Sequence, residues 1–287
     1  MKKLLFYTFS ILSLSSCVKN NPSPAWIQVN EWTLIANADL SGAEGELTHN
    51  FSDAWVYVND ELMGVFEVPC KIPVLKSGNC NIKVYPTVRN NGISATKKIY
   101  PFVAEYEINA DLVQNEVLTI NPITRYKTGL DFWIEDFEDA APKFTSDPTS
   151  ASDMISGSDP NILQWGNFYG VVQLNAIDST WIAYTQNDFI NWPRGQELYL
   201  EVDYFSTNDL VTGVIGISAT EVKNNINYQI NRQDPATVKW KKIYIEMKEI
   251  VGNSPNAEYF KISLQAGLDP GDANGFIILD NIKVVHF

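Results

Sequence analysis

The stretch AWVYVND (residues 54–60) is the clearest indicator of the fold class of this chain. Its aliphatic residues alternate with the aromatic Trp55 and Tyr57, as residues on the two faces of a half-buried strand do. It ends at the turn-forming pair Asn59 and Asp60. Similar short stretches, rich in β-branched and aromatic residues, continue to the C-terminus between Asn-Gly, Ser-Gly and Pro-containing turns. No stretch longer than about 12 residues has helical periodicity. We therefore predict an all-β protein.

The composition limits the number of domains and the class of partner. A length of 287 residues corresponds to one or two domains. The chain carries 34 acidic and 21 basic residues, with a formal net charge of −13. A chain of this charge repels nucleic acid and anionic lipid headgroups. We expect no nucleic-acid partner.

The N-terminus has the pattern of an export signal. A basic start precedes an apolar run over residues 4–14, which is shorter than the roughly 20 residues that span a bilayer. The sequence LSSC (residues 14–17) follows and resembles the lipobox of bacterial lipoproteins. That resemblance implies a lipoprotein signal peptide over residues 1–16 and a lipidated Cys17 as the mature N-terminus. The alternative is an ordinary secretory signal with an incidental cysteine.

Residues 17–25 would then be the lipidated cysteine and a short tether at the outer membrane. Lys19 lies two residues after Cys17, which resembles the surface-export signal of some Gram-negative lipoproteins. In this chain Asn20 and Asn21 stand where that signal carries carboxylates. We expect a lipid-anchored protein at the outer membrane, on the cell surface rather than the periplasmic face.

The first folded region is predicted over residues 26–127 as a small β-sandwich. Part of it resembles the PEGA domain, an extracytoplasmic β-sandwich module of bacterial surface proteins. The matching features are Val56 to Val58, the Asn59-Asp60 turn, Gly64, Pro69, Leu75 to Gly78, and Ile82 to Val84. A generic immunoglobulin-like sandwich is the open alternative. The PEGA resemblance implies an interaction or spacer unit without catalysis.

Two cysteines follow within this region. If CKIPVL (residues 70–75) and CNIKVYP (residues 80–86) form a hairpin, Cys70 lies five positions from the residue that faces Cys80. That separation is too long for a disulfide, so we predict two free thiols unless the chain bends at a proline.

The segment YPTVRNNGISATKKIYPF (residues 85–102) contains an Asn-Gly turn signal. One interpretation is a simple hairpin. The other is a projecting loop in which Arg89, Asn90 and Asn91 contact a partner, because binding residues concentrate on loops held by rigid sheets.

The second region is predicted over residues 131–287. It opens with LDFWIEDFEDA (residues 130–140) and closes with GFIILDNIKVVHF (residues 275–287). This pairing resembles the jelly-roll sandwiches of carbohydrate-binding and galactose-binding-like modules, in which the first and last strands lie side by side. The resemblance implies that Asp136, Glu138 and Asp280 come close together. They could hold a structural calcium ion, or they could be solvated strand-end carboxylates. No cofactor is required.

Aromatic residues in the second region are candidates for a sugar platform. Trp165, Trp181 and Trp192 could stack on sugar rings, with Gln186 and Asn187 as the polar groups. Trp192 lies in NWPRG (residues 191–195), which we predict to be a turn that exposes the indole. The same rings could instead be core, because tryptophan buries a large apolar area.

The sequence carries no pattern of catalysis. Its two histidines belong to no recognisable triad or metal-binding spacing, and the nucleophile-elbow, zincin and P-loop patterns are not present. We expect a non-catalytic protein, although one of the adjacent carboxylates Glu135 and Asp136 could enter a site.

Two functions remain. The first is an accessory subunit of an outer-membrane complex, for barrel-protein assembly or nutrient uptake, with a barrel protein or other lipoproteins as partners. The second is direct glycan binding by the jelly roll. The glycan hypothesis requires at least two of the three candidate tryptophans on one open face.

Overall fold

The computed structural model describes residues 23–287, and this part of the chain is nearly all β. The prediction of an all-β protein is therefore confirmed. The predicted signal peptide and Cys17 lie outside the described residues. Among residues 23–287, no helix is both long and apolar enough to cross a membrane.

The N-terminal half contains ten strands. Their bounds are β1 (Ala25–Val29), β2 (Thr33–Leu34), β3 (Asp53–Val58), β4 (Glu61–Glu67), β5 (Cys70–Val74), β6 (Gly78–Arg89), β7 (Lys97–Ile99), β8 (Tyr106–Leu112), β9 (Val117–Ile120) and β10 (Ile123–Thr124). They form a sheet of order β5-β1-β9, a sheet of order β4-β3-β6-β7 in which β8 also pairs with β6, and the small pair β10-β2. A short 3-10 helix (Ala38–Leu40) lies in the long connection from β2 to β3.

The hairpin of β3 and β4 forms where the sequence predicts it. Asn59 and Asp60 both have positive φ, 52° and 61°, which suits the tight turn between two twisted strands. A bulge between Val56 and Tyr57 shifts the register of the pair. Val56 and Val58 lie on the buried face of β3, whereas Trp55 and Tyr57 are half-buried on the other.

The two cysteines are not in one hairpin, contrary to the predicted pairing. Strand β5 pairs antiparallel with β1, whereas β6 pairs with β3, β7 and β8 in the other sheet. The chain changes sheets in the turn at residues 75–77. Cys70 is half-buried, Cys80 is buried, and both are free thiols.

The C-terminal half contains eleven strands and one short helix. Their bounds are β11 (Asp131–Glu135), β12 (Phe144–Ser146), β13 (Met154–Gly157), β14 (Tyr169–Asn175), β15 (Thr180–Thr185), β16 (Leu198–Ser206), β17 (Leu210–Ile217), β18 (Val222–Ile230), β19 (Lys241–Glu246), α1 (Lys248–Gly252), β20 (Tyr259–Gly267) and β21 (Asn274–His286).

Two sheets of this half face each other. One has the order β13-β14-β21-β16-β19 with β11 also on β21, and the other has the order β12-β15-β20-β17-β18. Strand β11 runs antiparallel to β21, from Asp131 opposite His286 to Glu135 opposite Ile282. The predicted pairing of the first and last strands is thus observed. A core of buried aliphatic and aromatic side chains fills the space between the sheets.

The two halves contact each other through the outer face of the first of these sheets. Tyr199 on β16, Tyr244 on β19 and Val285 on β21 belong to the buried cluster of the N-terminal half. We call this contact the seam. Tyr100 lies at its centre, with its ring 4.9 Å from Tyr244 and 5.4 Å from Tyr199, centroid to centroid.

Candidate ligand-binding cleft

Two of the three predicted platform tryptophans lie in the core. Trp181 is fully buried on β15, and Trp192 is only 6% exposed. Trp192 is stacked between the rings of Phe189 and Phe260, at centroid distances of 4.4 and 5.6 Å. The prediction that NWPRG exposes this indole is therefore wrong, because the turn packs its ring inward. Arg194 holds the turn by donating to the main-chain oxygens of residues 251, 254 and 257.

The predicted polar partners of those tryptophans also serve local structure. Gln186 Nε2 donates to the carbonyl oxygen of Pro142 at 3.1 Å, and Asn187 Oδ1 accepts from Trp133 Nε1 at 3.0 Å. Both residues are exposed at the end of β15. They are not brought together with Trp165 at the cleft described below.

The three predicted calcium ligands lie near enough for Asp136 and Glu138 to raise the pKa of Asp280 in addition to burial, but they do not form a metal site among residues 23–287. Glu138 is exposed and accepts hydrogen bonds from the main-chain N–H groups of Asn167 and Phe168. Asp280 is buried within the sheet and accepts from Asn281 N at 2.7 Å. Burial raises the pKa of Asp280 to about 8. Asp136 is half-buried nearby. Within residues 23–287, no three His, Cys, Asp or Glu side chains lie close enough together to hold a metal ion.

The predicted partner loop makes its contacts within the same chain. Asn91 N donates to Tyr244 O at 2.8 Å, and Asn91 Oδ1 accepts from Glu246 N at 2.8 Å. Asn90 Nδ2 donates to Glu246 Oε2 at 2.7 Å. Arg89 forms ion pairs with two carboxylates of its own half. The Asn-Gly turn therefore docks β19 at the seam instead of projecting toward another protein.

Trp165 is the one predicted platform residue at an open surface. It is half-buried and lies on the wall of a cleft of about 630 Å³ where the two halves meet. We call it the seam cleft. The N-terminal half contributes Thr48, His49, Asn50, Arg89 and Gly92. The C-terminal half contributes Gln164, Trp165, Asp203, Tyr204 and the run Lys239 to Tyr244.

A second tryptophan, which the sequence analysis did not single out, completes the wall. Trp240 packs against Trp165 at a centroid distance of 5.3 Å and an interplanar angle of 69°. Its Nε1 donates to Ile162 O at 2.7 Å, so the indole is fixed in place. The signal available in the sequence was the alternation of the run WKKIYIEM (residues 240–247), since Trp240 directly precedes β19, whose residues alternate between core and seam.

The floor of the cleft is a buried ionic network. Lys242 Nζ lies 3.0 Å from Glu201 Oε2 and 3.4 Å from Asp203 Oδ2. Thr48 donates its hydroxyl to Asp203, and the hydroxyls of Tyr100 and Tyr126 donate to Glu201. These bonds join the two halves, because the threonine and tyrosines belong to the first half and the ions to the second.

The network favours the charged forms of Glu201 and Lys242, whereas burial shifts the pKa values of Asp203 and Lys283 toward the neutral form. The pKa of Glu201 is lowered, with Lys242 and Lys283 opposing the cost of burial. The pKa of Lys242 is raised, because Asp203 and Glu201 outweigh its burial. Lys283 is buried and donates to the carbonyl oxygens of Glu44 and Glu46, and burial lowers its pKa to about 8.

His49 lies on the wall of the cleft as a flat polar group. Its ring stacks on Phe51 at a centroid distance of 5.0 Å and an angle of 17°. Burial, and then the nearby Lys242 ammonium, lower its pKa. The imidazole is therefore neutral at pH 7 and can both donate and accept hydrogen bonds.

No protein-family model and no curated protein matches this sequence. Three solved structures are similar to about half of the chain. The CBM22-2 xylan-binding domain of Paenibacillus barcinonensis Xyn10C has a TM-score of 0.40 at 11% identity, over 54% of this chain and 99% of that one. A family 11 carbohydrate-binding module from Clostridium thermocellum has a TM-score of 0.38 at 15% identity, over 55% and 96%. The enzymatically active domain of bacteriophage CBA120 tailspike protein 4 has a TM-score of 0.37 at 14% identity, over 52% of this chain and only 20% of that one.

Proposed function

We propose that this protein is a non-catalytic glycan-binding protein and that its site is the seam cleft. The condition drawn from the sequence, two of the three candidate tryptophans on one open face, is not met, because Trp181 and Trp192 are buried in the core. The observation that carries the proposal is instead the pair Trp165 and Trp240, two half-buried indoles held against each other on the wall of an open cleft. Flat aromatic faces stack on the apolar C–H faces of sugar rings, and large clefts with a few placed polar groups are the usual form of a small-ligand site.

The polar groups of the cleft suit the hydroxyls of a sugar. Gln164 and Asn50 offer amides that donate and accept, and His49 offers a neutral imidazole. The Trp165 indole N–H has no hydrogen-bond partner within residues 23–287, so it is available to a ligand. A volume of about 630 Å³ is in the range of sites for small ligands.

Glycan binding is preferred to the accessory-subunit function because of what the predicted partner loop contacts. Arg89, Asn90 and Asn91 were the residues offered to another protein, and they contact their own chain. They hold one wall of the cleft in place. A lipid anchor on Cys17 would carry this site on the cell surface and belongs to the same proposal. Replacement of Cys17 by alanine should then release the protein from membranes.

The proposal is tested by titrating the purified protein with a panel of oligosaccharides in a calorimeter. Trp240→Ala should weaken binding at least tenfold, because truncation of an aromatic anchor in a binding site costs about 2 kcal/mol or more, and about 1.4 kcal/mol corresponds to a factor of ten. Trp26→Ala is the matched control, since that indole is also half-buried but lies outside the cleft. Equal affinities of Trp240→Ala and the unaltered protein would refute the site, and no binding by any glycan would refute the function.

A further inference from the structure

The charges around the seam cleft differ in sign from those of the whole chain. The protein carries 34 acidic against 21 basic residues. Four cationic side chains nevertheless line the cleft, Arg89, Lys239, Lys241 and Lys242, and Asp203 is the one carboxylate among the lining residues of this cleft. A basic site in an acidic chain concentrates anions locally against the general repulsion.

Two of these four cations are already neutralised by the protein. Lys242 is buried and pairs with Glu201 and Asp203. Arg89 pairs with the buried Asp53 at 3.5 Å and with Glu67 at 3.0 Å. Neither side chain needs a ligand to balance its charge.

The other two cations are exposed and unpaired. Lys239 and Lys241 form no ion pair with any residue in the range 23–287, and both are exposed. Both residues line the cleft, one on each side of Trp240 in the sequence. His49 adds no charge at pH 7, because its pKa is lowered.

We infer that the ligand of the seam cleft is an anionic glycan whose sugar rings carry carboxylates, as uronic acids do. The inference rests on the glycan-binding function proposed above and names its ligand class. The rings would stack on Trp165 and Trp240, while the carboxylates would meet Lys239 and Lys241. A neutral glycan would leave both ammonium groups without a partner.

The preference for an acidic over a neutral glycan has a size and a salt dependence that follow from the exposure of the two lysines. Each exposed ion pair contributes little by itself, so the pair together gives a preference of about tenfold. Salt screens such contacts, so the preference should shrink as ionic strength rises from about 0.05 to about 0.3 M.

The test compares matched ligands on matched variants. Oligosaccharides of polygalacturonate and alginate are titrated into the protein beside their carboxyl-reduced forms, which keep the same linkages without the charge. The double variant Lys239→Gln/Lys241→Gln is compared with Lys223→Gln, which removes an exposed lysine outside the cleft. Thermal melts confirm that each variant is folded.

We expect an acidic oligosaccharide to bind about tenfold more tightly than its reduced form. The preference should be lost in the double variant and kept in Lys223→Gln. Reduced forms that bind as well as acidic ones, independently of salt, would overturn the inference while glycan binding stands. A preference that survives in the double variant would also overturn it. Binding of neither form by a protein that binds a neutral glycan of the panel above would overturn the inference alone, whereas binding of no glycan in either experiment would refute the proposed function itself.

Discussion

The contact between the two halves has a closed part, the buried ionic network, and an open part, the seam cleft. Two adjacent lysines on β19 show the difference between them. Lys242 is buried beneath the cleft and pairs with Glu201 and Asp203. Lys241 is exposed on the cleft wall and has no ion pair within residues 23–287. On β19, therefore, one lysine is buried and neutralised by the protein, while its neighbour stays exposed and available to a ligand. Lysine thus stabilises the closed part at position 242, while at position 241 its charge is available to a ligand of the open part.

The largest effect is expected from breaking the closed part at Glu201. Glu201→Gln removes the carboxylate that Lys242, Tyr100 and Tyr126 all contact, and leaves a buried ammonium short of its counter-ion. We expect a loss of about 3–5 kcal/mol in the free energy of unfolding, measured by urea titration.

Glu197→Gln is the control for this change. Glu197 also pairs with two lysines, but it is only partly buried, and we expect a loss below about 1 kcal/mol. Similar losses in the two variants would show that burial does not distinguish these ion pairs.

Core and cleft tryptophans should respond in opposite ways. Trp181→Ala empties a fully buried position and should cost about 3–5 kcal/mol of folding free energy. Trp165→Ala should cost about 1 kcal/mol or less, since its ring is half-exposed, while glycan binding is lost. Chemical unfolding of both variants, with a titration of Trp165→Ala, measures the contrast. A large loss of stability in Trp165→Ala would place that ring in the core instead.

How far the sequence predicts the molecule can be judged from these residues. Local turn chemistry predicts the Asn59-Asp60 hairpin, and the motifs at the two ends predict the pairing of β11 with β21. The distribution of tryptophans between core and cleft was not predictable in this way. Trp165 and Trp192 both lie outside strands, so no alternation indicates which one is buried.

The features that the sequence did not predict depend on contacts between residues far apart in the chain. Strand β5 pairs with β1, which lies more than forty residues earlier, and no local pattern specifies that partner. The cleft depends on the same kind of contact, because its walls come from both halves. His49 reaches this wall because its neighbour Asn50 bonds to β19, with its main-chain N–H donating to the Tyr244 hydroxyl at 3.0 Å and its amide donating to Lys242 O at 3.0 Å.

A pH experiment tests Asp280, a buried carboxylate on β21, the strand that pairs with β16. Unlike Glu201, it has no lysine partner within residues 23–287. The pKa of Asp280 is about 8, and burial is its main cause. The folded state therefore keeps a proton that the unfolded state loses from about pH 4 upward, so stability falls as pH rises through that window. Each pH unit within this window lowers the free energy of unfolding by at most about 1.4 kcal/mol.

Asp280→Asn removes this titration. The variant should match the unaltered protein near pH 4 and exceed its stability by several kcal/mol, at most about 5, at pH 8, measured by urea unfolding across the range. Asp111→Asn, at an exposed position, is the control for the loss of a carboxylate. A constant difference at all pH values for Asp280→Asn would contradict the assignment.

The smallest effect is expected at the turn that joins the halves. Gly92 has φ of +71°, and a Cβ there would lie 2.9 Å from Ile243 Cδ1 across the seam. Gly92→Ala should lower the free energy of unfolding by about 1–2 kcal/mol because of the positive φ alone. The close contact with Ile243 adds to that loss. Gly129→Ala has a similar φ of +78° and nothing within 4 Å, so it carries only the backbone cost. Equal melting temperatures of the two variants would show that the turn does not press on β19.

Strand β1 gives the fold a particular resistance to mechanical load. It lies between β5 and β9, antiparallel to one and parallel to the other, and it is the first strand of the described chain. A pull on the chain just before Ala25, directed along the strand, acts on both ladders in shear. All their hydrogen bonds must then yield together, whereas a pull across an edge strand would open them one at a time. A protein held by its N-terminus while its cleft binds a long polymer would carry force along this line.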